Sequence, residues 1–386
     1  MLSARYFDHN ATTPMCEAAR LAWLETEERH WHNPSSLYPA AAAAKHVLDA
    51  RREALADQLG IEDPERVIFT SGATEANNAV IRHLAATIEG ALAISAVEHP
   101  CVEAAARACL PPERLRVLPV DPATGALDLG ATGALLRAGG VGAVSLMAAN
   151  NETGVLQPWR EVAALCRESG TPFHTDAAQW LGKLPAGGIG EALGAAGWLT
   201  GSGHKFGGGR GVGFVVAPLD ADPEPAFLLG GPQEQGRRAG TENLSAVAAM
   251  VAALEGKSDA SLEAEAASRS AARDGFEARI ATEIGARPLG AAGERLWNTS
   301  MFLLPHSRNL KWLTRLAREG FGVSTGSACS AGRGNPSRTM EAMGLDYAEM
   351  GRVMRVSGGW DSSADDWRAL AEALRAVALE LEGDRH

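Results

Sequence analysis

Short apolar or β-branched runs recur along the chain, separated by longer stretches of helix-forming residues. The runs are RVIFT ending at Thr70, ALAISA from Ala91, LRVLPV from Leu115, GAVSLMA from Gly142, PFHTDA from Pro172 and GVGFVVA from Gly211. Between them lie segments such as YPAAAAAKHVLDARREALADQLG, Tyr38 to Gly60, rich in helix formers and closed by glycine. This alternation predicts βα units around a mostly parallel sheet, which binds ligands at its carboxyl edge. After about Asn243 the texture changes to a long charged helical stretch, then strand-like NTSMFLL and FGVSTGS, then a helical tail. The predicted fold is α/β: a large domain over residues 14–245, and a smaller α+β domain made of 246–386 with 1–13.

With 386 residues, 46% hydrophobic and 22% charged, the chain can bury a sizeable core. No apolar run approaches the roughly 20 residues needed to span a bilayer. The opening MLSARYFDHN carries a charge and a turn where a signal peptide needs an apolar core. A cytoplasmic protein with no membrane partner is expected. The formal charge of −11 comes without a concentrated basic stripe, which argues against a nucleic-acid surface. The five cysteines are an odd number with no CxxC pair, a poor basis for a disulfide framework or a zinc site, and no metal is expected.

Three stretches carry candidate chemistry. WLTGSGHKFGGGRGVGFVVA sets Lys205 behind a small-residue turn and ahead of glycines that lead into a strand. A Walker A loop or a dinucleotide fingerprint would open a helix there instead. FTSGATEANN ends a strand with Ser71, Gly72, Ala73 and Thr74 at a helix start, which reads either as an anion cup or as N-capping by Ser71 or Thr74. FHTDAAQWLGK places Asp176 at the end of an apolar strand, where a carboxylate wants a cationic partner or serves as a helix cap.

A fourth stretch, STGSACSAGRGNPS, surrounds Cys329 with small residues that offer little anchorage. A free thiol with a pKa near 8.5 needs a base or cationic surroundings to act as a nucleophile. Asn335 and Pro336 are predicted to cap and open the next helix.

Taken together, FDHNATTP, HNPSS, FTSGATEANN, EHP, NNETGV, HTDAAQ, GSGHK, RRAGTEN and GSAC resemble the cysteine desulfurases, NifS/IscS-like members of the class V aminotransferase family. The resemblance runs from about Tyr6 to Arg355. It implies fold type I of the pyridoxal 5′-phosphate enzymes, with a seven-stranded type of sheet sandwiched by helices. It further implies that Lys205 holds pyridoxal 5′-phosphate as a Schiff base, that Asp176 pairs with the pyridine nitrogen, that Gln179 meets the ring hydroxyl and that His99 stacks on the ring. Thr74, Ser202 and His204 match the phosphate ligands, with Ala73 beside them in the cofactor site. Thr241 is expected to reach across from a second subunit, implying a homodimer. Asn151 and Arg355 match the residues that bind the substrate amino acid, and a guanidinium fork suits an α-carboxylate.

The implied reaction removes sulfur from L-cysteine, with Lys205 moving the Cα proton and His99 the thiol proton. It leaves L-alanine and a persulfide on Cys329 for a sulfur-acceptor protein, in iron–sulfur cluster assembly or thio-modification. Two other readings stay open: a class V aminotransferase, selenocysteine lyase or C–S lyase in which Cys329 is dispensable, and a non-catalytic sulfur-transfer scaffold. The chain departs from the family pattern at Arg333 and Asn335 after the cysteine, at Tyr38 in place of histidine, at a glycine in HKFGGGRG where proline is common, and at Trp360. The last is expected near the carboxylate site.

Overall fold

The computed structural model describes residues 5–221, 226–326 and 337–383. A short first strand, β1 (Arg5–Tyr6), precedes the sheet that dominates the molecule. That sheet comprises β2 (Val67–Thr70), β3 (Ala91–Ser95), β4 (Leu115–Leu118), β5 (Val141–Ser145), β6 (Phe173–Asp176), β7 (Gly197–Ser202) and β8 (Gly213–Val216). Within the described residues these seven strands run in the order β2-β8-β7-β6-β5-β3-β4. All pairs are parallel except those of β8, which is antiparallel to both β2 and β7.

Alternation along the strands explains why they read as apolar runs without a polar face. Val67, Phe69, Leu199, Phe214 and Val216 enter one buried cluster, while Ile68, Trp198 and Val215 enter another. Successive side chains point to opposite faces, and helices cover both, so β2, β3, β6, β7 and β8 are buried throughout, while Arg116 and Val117 of the edge strand β4 are exposed.

The sequence pattern passed over β7. Its run GWLTGS has glycine at two positions and only two large apolar residues, yet all six residues are buried. A Cβ on Gly201 would stand 2.5 Å from Phe214 Cε1, so close packing against β8 excludes larger side chains there.

The remaining strands form smaller sheets. β9 (Arg287–Leu289), β10 (Thr299–Leu303) and β12 (Val353–Ser357) make an antiparallel sheet in the order β12-β10-β9, and β11 (Phe321–Gly322) pairs in parallel with β1. Phe7, Phe276, Phe302, Trp312 and Trp367 belong to the core beneath them, which places the start of the chain with its C-terminal part. The long helix Asp259–Ile284 is opened by Ser258, whose side chain accepts from Ser261 N–H, and closed by Gly285 in the left-handed conformation.

One detail differs from the sequence reading. The helix Leu244–Glu255 packs into the large core through Leu244, Val247, Met250 and Val251, so the change of core falls beyond Glu255 rather than at 245. The helix Arg338–Ala342 is capped by Ser337, whose Oγ accepts from Met340 N–H at 3.2 Å. Asn335 and Pro336, expected to cap and open the next helix, lie outside the described residues.

Candidate active site

A cavity of about 540 Å³ opens at the carboxyl ends of the central strands, where β6 and β7 deliver Asp176 and Ser202. Such an edge is where an open α/β sheet binds its ligand. Its walls include Ala73, Thr74, His99, Asn151, Asp176, Gln179, Ser202, His204, Lys205 and Arg355, residues spread over the whole length of the chain. Thr241 is exposed and does not line it. Cys329 lies outside the described residues, as does Arg333.

At one side the helix Ala73–Thr87 begins. Its N-cap is Gly72, with no side-chain cap, so neither Ser71 nor Thr74 fills the capping role. First-turn N–H groups and the positive end of the helix dipole therefore face the cavity together with the hydroxyls of Thr74 and Ser202. Gly72 has φ of 153°, and the ideal Cβ of Gly213 on β8 would stand 2.6 Å from its Cα; both positions need glycine. Glu75 in the first turn is neutralised by Arg238, at 2.8 Å.

Asp176 sits deeper, almost fully buried. Its Oδ2 accepts from Asn77 Nδ2 at 2.6 Å and its Oδ1 from Ala178 N–H at 2.9 Å, both uncharged donors. Asn77 is itself held, since its Oδ1 accepts from Thr200 Oγ1 at 2.5 Å. Behind Thr200 stand His174 at 3.3 Å and then Ser145, 2.9 Å from His174 Nδ1. Burial pushes His174 down to about 4, so this layer stays neutral while it holds the one carboxylate.

Lys205 follows β7 in a short 3₁₀ turn and donates to the carbonyls of Asn10 at 2.6 Å and Ala11 at 3.0 Å. The Asn10 carbonyl also accepts from Gln179 Nε2 at 3.0 Å. Lys183, wholly buried, donates to Gln179 Oε1 and to Asn10 Oδ1. Lys183 thereby fixes the Gln179 amide with its oxygen inward. Burial, with the charges of Lys205, Arg355 and Lys257, holds Lys183 well below the usual lysine range. His204 meets Thr12 Oγ1 at 3.2 Å and is pushed down to about 4 by burial and by Lys205.

His99 caps the helix Pro100–Cys109. Its Nδ1 accepts from Cys101 N–H at 3.2 Å and lies 2.9 Å from Cys101 Sγ. Burial lowers its pKa; Asp176 opposes that effect and Lys205 adds to it.

Across the cavity, β12 supplies Arg355. Its Nη2 donates to Asp8 Oδ1 at 2.6 Å and its Nη1 to Asn151 O at 2.9 Å, while Nε is buried without a partner among the described residues. Glu152, also buried and lining the cavity, accepts from Ser337 Oγ at 2.7 Å, and burial raises its pKa. Trp360 is elsewhere. It packs on Trp297 with ring centroids 4.6 Å apart, under Lys257 and Arg269, and is not part of the wall, which corrects its expected place near the carboxylate site. Tyr38 is exposed at the start of the helix Pro39–Leu59.

Sequence reasoning missed Asn10, Asn77, Cys101, Glu152 and Lys183. Asn77 lies one helical turn beyond Thr74 and Lys183 four residues beyond Gln179, and those spacings were the available signal. Asn10 gave none, because its contacts join segments far apart in the chain. An amine, a buried carboxylate held by uncharged donors and an uncapped helix start fit a phosphorylated pyridine aldehyde as a donor set.

Comparison with known proteins gives the family. The sequence matches the family described as Aminotransferase class-V over residues 5–370. It is 37% identical to a cysteine desulfurase of Rhodobacter capsulatus over 98% of this chain and 97% of that protein. It is 35% identical to the cysteine desulfurase NifS of Azotobacter vinelandii over 91% of this chain and 87% of that protein. A solved NifS-like protein superposes with a TM-score of 0.86 at 25% identity, over 97% of this chain and 99% of that one.

Proposed function

This chain belongs to the aminotransferase class-V family and is a cysteine desulfurase, and from that premise we propose that it works with pyridoxal 5′-phosphate held by Lys205, moves the sulfur of L-cysteine onto Cys329 as a persulfide, and releases L-alanine. The observation that carries this reading is the convergence in one cavity of Lys205, the buried Asp176 and the uncapped helix start at Gly72.

Pyridoxal phosphate, when bound, supplies an electron sink for charge developing on the substrate carbon. Asp176 holds the proton at the ring nitrogen and keeps that sink effective. Gln179, oriented by Lys183, turns its amide N–H₂ to the ring hydroxyl. Ala73, Thr74, Ser202 and His204 surround the phosphate, and Thr241 reaches it from a second subunit; the exposure of Thr241 in a single copy supports that homodimer.

Lys205 takes and returns the Cα proton. Arg355 and Asn151 orient the substrate carboxylate, which shares the Arg355 fork with Asp8. His99 handles the proton of the substrate thiol. The Cys329 thiolate then attacks the substrate sulfur, the C–S bond breaks, and its electron pair passes to the substrate carbon, which is protonated on the way to L-alanine. The sum is L-cysteine plus the Cys329 thiol giving L-alanine plus the Cys329 persulfide, with no outside oxidant.

The described ends of the segment that carries Cys329 support its access to the cavity. Ser324 pairs with Arg355 through backbone hydrogen bonds of 3.1 and 2.8 Å, and Ser337 bonds Glu152 in the cavity wall. The persulfide passes to an acceptor protein, in iron–sulfur assembly or thio-modification, within the cytoplasm. Among the described residues no helix is long and apolar enough to cross a membrane.

Intact-mass analysis after adding L-cysteine without reductant tests this. One extra sulfur localised to Cys329 is the expected result, and Cys329→Ala is expected to lose it, with alanine formation down at least about 10²-fold. A Cys329→Ala variant of full activity would favour the lyase or aminotransferase reading instead.

A further inference from the structure

We propose that Cys101 is a positioning residue whose thiol, by donating to His99 Nδ1, keeps the imidazole proton on Nε2, the nitrogen left to serve the cavity. The inference rests on the reading of His99 as a group that works in that cavity.

The argument is an inventory of donors. Asp176 accepts from Asn77 Nδ2 at 2.6 Å, and Asn77 Oδ1 accepts from the Thr200 hydroxyl at 2.5 Å. These two contacts fix the Asn77 amide, so the nitrogen 3.3 Å from Cys101 Sγ is a donor. The Thr74 hydroxyl reaches the same sulfur as a second donor; the sulfur is therefore an acceptor toward Asn77 and Thr74, and its own hydrogen points the other way. His99 Nδ1 lies there, 2.9 Å distant.

The backbone N–H of Cys101 independently reaches the same Nδ1 at 3.2 Å. Two donors converging on one ring nitrogen require its lone pair, and the ring proton must sit on Nε2. A chain of hydrogen bonds thus runs from the Asp176 carboxylate through Asn77 and Cys101 to His99, joining the group assigned to the ring nitrogen with the one assigned to the ring face.

The thiol is suited to donate and unsuited to attack. Burial, with Asp176 and Glu98 adding to it, pushes Cys101 up to about 12, so it keeps its hydrogen at neutral pH. Other charged or titratable groups facing this pair are Asp176 at the end of β6, Lys205 after β7 and Glu98 before the helix. Asp176 and Lys205 act on His99 in opposite directions. Glu98 is itself pushed up to about 8 by burial. Cys101 is then a thiol beside the chemistry that is not the sulfur carrier.

The test compares holoprotein of wild type, Cys101→Ala and Cys101→Ser, labelled with ¹⁵N-histidine. Wild type is expected to show His99 as the Nε2–H tautomer. Cys101→Ala keeps the backbone donor and loses the thiol donor, so protonation of Nδ1 becomes easier. Its His99 titration and the acid limb of kcat/KM are expected to move upward together by about half to one pH unit, threefold to tenfold in proton affinity. Cys101→Ser restores a donor and is expected to move both back. An unchanged tautomer and titration in a folded Cys101→Ala protein, or a serine variant no different from alanine, would overturn the proposal. The resonance titration reads the tautomer whether or not L-cysteine is turned over, so failure of the desulfurase reading would be seen separately, as absence of alanine in wild type.

Discussion

On the β6–β7 side of the cavity, Asp176 is held by two uncharged donors, whereas on the β12 side Arg355 already gives its fork to Asp8 and to the Asn151 carbonyl. The first wall buries a carboxylate whose own hydrogen bonds bring it no cation, and a cation that arrives beside it gains from that. The second wall is paired within itself. On the function proposed above, binding at the ring nitrogen adds a charge partner to Asp176, and binding on the carboxylate side is an exchange in which an incoming carboxylate displaces part of Asp8.

Removing the Asp176 charge should have the larger effect. Asp176→Asn keeps the shape and the bond to Ala178 N–H but abolishes the charge. With a partner charge shifting a neighbouring pKa by about two units, turnover should fall about 10²-fold. Cofactor affinity, read by equilibrium dialysis, should fall with it. Unchanged affinity would break the contrast between the walls.

Removing the competitor should have a smaller effect, of opposite sign on binding. Asp8→Asn still accepts a hydrogen bond from Arg355 without its charge. KM for L-cysteine is expected to fall about threefold with kcat little changed. A rise in KM would make Asp8 a support for the fork and end the exchange account. Because Arg355 is buried, the same variant is expected to lose about 1–3 kcal/mol of stability in denaturant titration.

The pH dependence of stability sharpens the picture least. His9, His174 and His204 are each pushed down to about 4, by burial in the first place. The unfolded chain binds more protons than the folded one between the ordinary histidine value of 6.5 and 4, so their contribution is complete above 6.5 and lost as pH falls toward 4. Glu98 has the opposite sign, its contribution being complete below the ordinary carboxylate value and lost as pH rises toward about 8. Burial also lowers His99 and raises Glu152 and Glu242; with four groups against three, Tm by calorimetry should fall by about 2 °C from pH 6.5 to 4.5. A flat profile would mean that the neutral layer behind Asp176 admits protons freely.

β2, β3 and β8 were legible because burial on both faces leaves a compositional mark, and β4, β5 and β6 because apolar or β-branched residues recur in short runs between helical stretches. β7 was not, since close packing at Gly201 demands small residues that look like a turn. The cavity wall was legible where a residue stands out by itself, as Lys205 and Asp176 do. It was illegible where function rests on a contact between distant segments: Asn10 beneath Lys205 and Gln179, and Asp8 against Arg355, are pairings only the fold creates. Trp360 shows the reverse error: the family pattern placed it near the carboxylate site, while its ring turns to Trp297.

Borohydride reduction of the holoprotein, followed by peptide mapping, tests most directly the claim that this cavity is built around an amine-bound aldehyde. The account predicts a pyridoxyl group on the peptide containing Lys205 and its disappearance in Lys205→Ala. A colourless protein that, supplied with pyridoxal 5′-phosphate, yields no adduct at Lys205 would contradict it.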